Sequence, residues 1–152
     1  SLAGGHHTAY LTERGLVGAD AHGWRQVDLF PVPAIYLPGT ALVVSPLIAL
    51  MKDQVENLRR IGIKATAIYS GMSRQEIITQ LENCIFGGYK FLYVSPERLS
   101  TDIFRIKMEA MQVCLLVIDE SHCISQWGYD FVLLTSISLR SGTYCRVFRY
   151  WP

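Results

Sequence analysis

Two carboxylates, a hydroxyl and an imidazole stand side by side in this sequence, directly after an apolar run. The run is Cys114–Ile118, and the polar side chains belong to Asp119, Glu120, Ser121 and His122. An acidic residue after a buried strand can hold Mg²⁺ on phosphate oxygens, and a second carboxylate can orient or deprotonate an attacking water. The pattern is therefore typical of a nucleotide triphosphatase. An ordinary helix start, with Asp119 as the N-cap, explains these residues equally well.

The elements around these residues alternate between strand and helix. Cys114–Ile118 is rich in Leu, Val and Ile without a turn residue, which predicts a strand buried on both faces. Three earlier strands are predicted, at 41–44, 65–69 and 89–94. Helices are predicted after each of them, and Ser73 with Glu76 forms a capping box at the second helix. The alternation predicts an α/β fold with a mostly parallel sheet, in which ligands bind at the carboxyl ends of the strands.

The composition limits the class of protein. With 152 residues, half of them hydrophobic, the chain is one domain or a piece of one. No apolar run approaches the roughly 18 residues of a membrane span, so we expect no membrane contact. The formal charge of +1 excludes a global basic field, so any nucleic-acid contact must be local. The four cysteines form no CxxC pair, which favours a reduced cytoplasmic protein over a disulfide or zinc framework.

Three stretches resemble one known family. Asp119–Phe131, which reads DESHCISQWGYDF, resembles the Walker B motif and aromatic-rich loop of RecQ-family DNA helicases, although the family usually has Ala where Ser121 stands. Residues 43–54, VVSPLIALMKDQ, resemble its motif Ia, and residues 93–99, YVSPERL, resemble its motif Ib. The resemblance covers roughly 31–131 and implies a RecA-like P-loop NTPase domain, here incomplete.

The resemblance also implies an activity and a set of site residues. The family contains ATP-dependent 3′-to-5′ DNA helicases that act in repair and recombination, with ATP and Mg²⁺ as cofactors and single-stranded DNA or duplex junctions as partners. By resemblance, Asp119 holds Mg²⁺ through ATP, Glu120 activates water, and His122 links this site to the DNA side. The DNA-backbone contacts of the family correspond to Ser45, Pro46, Lys52, Gln54, Ser95, Pro96, Glu97 and Arg98. The loop that couples DNA binding to ATP hydrolysis corresponds to Ser125, Gln126, Trp127 and Phe131.

Each of these assignments has a simpler alternative. Lys52 and Gln54 are predicted to lie off the apolar stripe of the first helix, and a lysine there is often only solvated. Glu97 and Arg98 could form a surface ion pair. Trp127 and Phe131 could belong to the core, the usual place for such side chains. In favour of DNA contact, N–H groups and a hydroxyl at a helix start attract phosphate, and bases stack on aromatic rings.

The phosphate-binding loop of the family is absent from residues 1–30, where no Gly-rich turn ends in Lys-Ser or Lys-Thr. A shift of the reading frame explains this, because codons for residues 23–30 can encode G-G-K-S-I-C when they are read one base later. Residues 132–152 can likewise encode family-like sequence once one base is restored. We therefore predict that 1–30 and 132–152 are out-of-frame segments that flank a partial helicase domain at 31–131. A diverged protein with novel ends is the alternative.

These features predict a chain that is inactive as written. It lacks the P-loop lysine, and it ends before the second RecA-like domain, which in the family supplies the arginine that completes the site. Two other classes remain open: a non-catalytic DNA-binding remnant that uses Ser45, Ser95 and Trp127, and an inert product of a damaged gene. RNA helicases fit less well, because Gln126-Trp127-Gly128 is not typical of them. We expect a cytoplasmic location, associated with the nucleoid if the protein is bacterial.

Overall fold

The computed structural model describes residues 10–11, 37–119 and 144–148, with residues 10–11, 119 and 144–148 described by their backbone alone. The strands are β1 (Tyr10–Leu11), β2 (Thr40–Val44), β3 (Ala65–Ile68), β4 (Phe91–Val94), β5 (Val113–Asp119) and β6 (Tyr144–Phe148). The helices are α1 (Ile48–Arg60), α2 (Arg74–Phe86), α3 (Asp102–Ala110) and a 3₁₀ helix at Pro96–Arg98. None of the helices in these ranges is long and apolar enough to cross a membrane.

The strands form one sheet in the order β1-β6-β5-β2-β4-β3. All neighbours run parallel except β1, which pairs antiparallel with β6. The predicted α/β class with a mostly parallel sheet is therefore confirmed. The sequence predicted no strand for β1 or for β6, and β6 comes from the segment that we predicted to be out of frame.

Helices cover both faces of the sheet, which explains why its central strands have no polar face. On β2, Leu42 and Val44 pack on one side and Ala41 and Val43 on the other, all at 3% exposure or less. The first side is covered by α2 and α3 and the second by α1. The buried apolar helix residues are Met51, Val55 and Leu58 on α1, Ile77, Leu81 and Cys84 on α2, and Phe104 and Met108 on α3. Burial of both faces requires the continuous apolar runs seen in the sequence.

The helix starts follow from local side chains. In α2, the Ser73 hydroxyl accepts a hydrogen bond from the Glu76 N–H (3.2 Å), and the Glu76 carboxylate accepts one from the Ser73 N–H (2.7 Å), so the predicted capping box is confirmed. In α1, the N-cap is Leu47, whose N–H donates to Ser45 Oγ at 3.3 Å. Both helices therefore begin directly after turns that follow a strand.

Candidate functional site

The central strands end at one level, which brings their following residues to a common edge. Val44 of β2 pairs with Val94 of β4 and with Ile118 of β5, and Val94 in turn pairs with Ile68 of β3. We call this the carboxyl edge of the sheet, and its next residues from the centre outwards are Asp119, Ser45, Ser95 and Tyr69. Sequence analysis predicted the ligand site at such an edge, where strand ends of a parallel sheet meet.

The two Ser-Pro turns are fixed to the strands beside them. The Ser45 N–H donates to the Val94 carbonyl and the Ser95 N–H donates to the Ile68 carbonyl, both at 3.1 Å. The exposed fraction is 2% for Ser45 and 1% for Ser95. Both serines are therefore part of the interior. Solvent reaches Pro46 and Leu47 after the first serine, whereas Pro96 is buried after the second and the partly exposed residue there is Glu97.

The start of α1 offers an anion-binding surface at the carboxyl edge. Its first intrahelical hydrogen bond runs from the Met51 N–H to the Leu47 carbonyl (3.0 Å). The N–H groups of Ile48, Ala49 and Leu50 come before this bond and therefore have no acceptor within the helix. The first turn contains no acidic residue, and the last turn contains Arg59 and Arg60. The positive end of the helix dipole is therefore not neutralised by a carboxylate of its own first turn.

Glu97 connects the two outer turns of this edge. Its carboxylate accepts a hydrogen bond from the Ser70 hydroxyl, and the buried Ser95 hydroxyl lies nearby without a hydrogen bond of ordinary length in the described part of the chain. Partial burial acts to raise the pKa of Glu97, but the Ser70 and Ser95 hydroxyls and the charge of Arg98 outweigh it and lower that pKa. Glu97 is therefore ionised at neutral pH and bound to Ser70.

Lys52 and Gln54, the two predicted DNA-binding residues of α1, differ in their exposure to solvent. Lys52 is exposed, and its ammonium lies 4.7 Å from the centre of the Tyr69 ring, so it is not merely solvated. Gln54 is only 6% exposed. The prediction that Gln54 lies off the apolar stripe is therefore wrong, because position 54 follows Met51 by three residues and shares its buried face. Its assignment to DNA binding stays a prediction.

The predicted catalytic residues are only partly within the described structure. Asp119 is the last residue of β5, level with the Ser-Pro turns. The other members of the carboxylate site and of the coupling loop lie outside the described residues: Glu120, His122, Ser125, Gln126, Trp127 and Phe131. Their roles stay predictions.

The described residues do not fit a bound Mg²⁺–ATP by themselves. They contain no group of three or more His, Cys, Asp or Glu side chains able to hold a metal ion. The sequence also lacks the Gly-rich turn with its lysine that would surround the phosphates.

Sequence analysis missed two polar contacts at the carboxyl edge. One joins Ser70 to Glu97, and the other joins Tyr69 to Lys52. Both involve residues that directly follow β3, the strand at the edge of the sheet. The available signal was their position, since an aromatic residue and a hydroxyl immediately after a strand stand where the Ser-Pro turns stand.

Comparison with known proteins gives one consistent result. Residues 29–143 match the family model described as DEAD/DEAH box helicase. The chain is 48% identical over 102 residues to the ATP-dependent DNA helicase RecQ of Bacillus subtilis, which covers 67% of the chain and 17% of that relative. Identity to RecQ of Haemophilus influenzae is 44% over 102 residues, covering 67% and 16%. Identity to the probable ATP-dependent DNA helicase RecS of Bacillus subtilis is 46% over 103 residues, covering 67% and 20%.

Proposed function

Because the chain belongs to the DEAD/DEAH box helicase family and its relatives are of the RecQ type, we propose that its carboxyl edge binds the backbone of single-stranded DNA. In the intact protein this surface would serve an ATP-dependent 3′-to-5′ helicase that acts on single strands and duplex junctions in repair and recombination. The chain spans about one sixth of the length of the RecQ relatives. Unwinding, ATP hydrolysis and a cytoplasmic, nucleoid-associated location are therefore proposed for the whole protein.

The observation that carries the proposal is the start of α1 at the carboxyl edge. The N–H groups of Ile48, Ala49 and Leu50 and the dipole of the helix attract a phosphate, with no acidic residue in that turn to compete. Lys52 lies one turn further along and adds an exposed positive charge. Contacts of this kind fix a nucleic-acid backbone without reading its sequence.

The second Ser-Pro turn is proposed to act through the side-chain charge of Arg98 and not through a helix start, because its helix has three residues and Glu97 in its first turn. Pro96 and Arg98 belong to the 3₁₀ helix that follows Ser95, and Arg98 supplies its positive charge. Glu97 is a positioning residue in this proposal, because its carboxylate is bound to Ser70 and would repel a phosphate at close range. Gln54, which is buried, is proposed to support α1 from below.

The nucleotide half of the site is proposed from the family. Asp119 and Glu120 would hold Mg²⁺ and orient water, and His122 with Ser125, Gln126, Trp127 and Phe131 would couple ATP hydrolysis to DNA. When bound, Mg²⁺–ATP supplies the free energy for unwinding. Since the P-loop lysine is absent from the sequence, we expect the chain as written to bind DNA without hydrolysing ATP.

A charge placed in the first turn of α1 tests the phosphate contact. Ala49 is exposed, so Ala49→Asp adds a carboxylate at the helix start, where it stabilises the helix and repels phosphate. Asn57→Asp adds the same charge to the same helix about 12 Å away, and serves as the control. Anisotropy of a fluorescent oligothymidylate, titrated at several salt concentrations, should show weaker binding for Ala49→Asp only.

Three results would contradict the proposal or separate it from the alternatives. Equal effects of the two variants would place the DNA elsewhere. Absence of salt-sensitive binding in a chain with a cooperative urea transition would reject the DNA-binding function. Absence of a cooperative transition would favour the inert product of a damaged gene.

The out-of-frame assignment of 1–30 and 132–152 is a separate proposal. It is supported by relatives that align over 102 residues, a length close to that of segment 31–131. The family model extends to residue 143 and one relative aligns over 86% of the chain, which favours the alternative of genuine ends. Sequencing the encoding DNA across the junctions near residues 30 and 131 tests it. Codons that spell a P-loop in the shifted frame would support the proposal, and codons that do not allow it would refute it.

A further inference from the structure

Tyr69 extends the carboxyl edge to the last strand of the sheet. It directly follows Ile68, which pairs with Val94, so Tyr69 is level with the Ser95 turn. Its ring is half-buried and packs against the apolar layer beneath α1. The ring also lines an open cavity of about 400 Å³ beside β3, whose wall includes Lys52, Glu56 and Arg59. Arg59 lies towards the other end of the strand, where its Nε donates to the Ala65 carbonyl, so Lys52 supplies the positive charge next to the Tyr69 ring at the carboxyl edge.

The Lys52 ammonium holds this ring in place, at 4.7 Å from its centre. A comparable pair lies at the opposite edge of the sheet, where Lys64 precedes β3, Tyr89 precedes β4, and the ammonium is 6.0 Å from the ring centre. The two pairs share their chemistry and differ in position, since the Ser-Pro turns and the start of α1 lie only at the carboxyl edge. The second pair is therefore a matched control for the first.

We propose that Tyr69 and Lys52 bind one nucleotide of a single strand, with the ring stacked on the base and the ammonium paired with its phosphate. This inference rests on the proposed function, because the strand must first be held at the carboxyl edge. Both parts of the contact are indifferent to sequence, since every base has an aromatic face and every nucleotide has a phosphate. The proposed ligand is therefore single-stranded DNA of any sequence, as distinct from a strand without bases.

The expected strengths of the two contacts favour replacing the cation–π contact between Lys52 and Tyr69 by stacking of a base on Tyr69. An exposed cation–π contact corresponds to about a 2- to 5-fold change in an equilibrium constant. Stacking of a base on an aromatic side chain corresponds to about 5- to 150-fold. A base can therefore take over the face of Tyr69 that faces Lys52, and the released ammonium then meets the backbone phosphate. Both groups end with a stronger partner than they had before.

The test compares two labelled strands on the full 152-residue chain. One is an oligothymidylate of about 20 nucleotides, longer than a typical single-strand site, and the other is an abasic strand of equal length. Tyr69→Leu keeps an apolar side chain and removes the aromatic face, so it should weaken oligothymidylate binding at least about 5-fold, with a smaller effect on the abasic strand. Tyr69→Phe should lose less than Tyr69→Leu, because the ring remains.

Lys52→Gln should weaken binding of both strands and lower the slope of log affinity against log salt by about one. Tyr89→Leu and Lys64→Gln, the controls at the opposite edge, should leave affinity and slope as they are. A measurement without substitution supports the same point: nitration of Tyr69, mapped by peptide mass, should be suppressed by the oligothymidylate and not by the abasic strand. It remains informative if a variant does not fold.

Several outcomes would overturn the inference. Normal oligothymidylate binding by Tyr69→Leu, or an equal loss on both strands, would exclude stacking while the proposed backbone contact stands. Equal losses for the Tyr69 and Tyr89 variants would also overturn the inference, because the effect on binding would then not depend on a position at the carboxyl edge. If the unaltered chain binds neither strand, the proposed function and this inference fall together.

Discussion

Glu97→Gln should destabilise the protein because it weakens the connection between the two outer turns. Hydrogen bonds to charged groups contribute about 1.5–3 kcal/mol, and those between neutral groups about 0.5–1.5 kcal/mol. A glutamine at this position could still accept from the Ser70 hydroxyl, so only the charge-dependent part is lost. Glu97 is half-buried, and solvent screening reduces that part further. We expect a loss of about 0.5–1 kcal/mol in the free energy of unfolding.

The pH dependence of this loss has a definite sign. The pKa of Glu97 is lowered in the folded protein from its ordinary value of 4.5, since the hydroxyls of Ser70 and Ser95 and the Arg98 charge outweigh the effect of burial. Its contribution to stability is therefore complete above about pH 4.5 and is lost as the pH falls through the folded pKa. The difference between wild type and Glu97→Gln should accordingly be constant at neutral pH and shrink below about pH 4.5.

The assay is urea unfolding followed by circular dichroism, with a double-mutant cycle that adds Ser70→Ala. If the two side chains interact as the structure shows, the combined loss should be smaller than the sum of the single losses by about 0.5 kcal/mol or more. Glu109→Gln, at an exposed position of α3, is the control and should stay within about 0.5 kcal/mol of wild type. Strict additivity, or a loss for Glu97→Gln that persists unchanged at about pH 3, would refute the reasoning.

Three further predictions concern the framework that holds the edge. Gly39 has φ +107°, and a Cβ there would lie 2.5 Å from the Gln112 carbonyl oxygen, so Gly39→Ala should cost more than about 2 kcal/mol in urea unfolding. Gly62→Ala, with φ +84° and open space around it, should cost less, and the reverse order would contradict the steric argument. Ser73→Ala removes the α2 cap and should cost about 1 kcal/mol; no change in the unfolding midpoint would exclude a stabilising cap. Burial raises the pKa of the Cys84 thiol to about 12. Peptide mapping should therefore find Cys84 alkylated at about pH 8 only in denaturant. Rapid alkylation of the native protein would contradict this, because it would show that the thiol is accessible.

The elements of the fold were predictable because their signals are local. Cys114–Ile118 is apolar throughout, and the structure places this run inside β5 with both faces covered. The Ser73 capping box is likewise encoded within four residues and is present as predicted. The order of the strands was not predicted, because periodicity shows which residues are buried and not which strand lies beside which. The strand β6, which pairs with β5, was not predicted at all, because residues 132–152 were interpreted as out-of-frame sequence.

The site was predictable where motif residues and strand ends coincide, and not where the contact crosses elements. Ser45 and Ser95 stand at the edge where the sequence predicted a ligand site. The contact between Lys52 and Tyr69 joins α1 to the end of β3, so it becomes visible only once the helix lies on the sheet. Gln54 shows the opposite error, because its polarity suggested an exposed face while its spacing from Met51 required a buried one.

In the proposed function, the carboxyl edge has a DNA-facing half and a nucleotide half. Its DNA-facing half is formed by the ends of β2, β3 and β4, which all lie inside the described segment 37–119 and depend on each other through Ser45, Ser95 and Glu97. Its nucleotide half depends on the residues after Asp119 and on a P-loop that the sequence does not contain. The turns of the first half are bonded to neighbouring strands within this segment, by the Ser45 N–H to Val94 and by the Ser95 N–H to Ile68. On the proposed function, we therefore expect nucleic-acid binding that does not depend on ATP. An oligothymidylate affinity that changed on addition of Mg²⁺–ATP would mean that the nucleotide half is formed by residues outside the described segment, and that the two functions are still coupled.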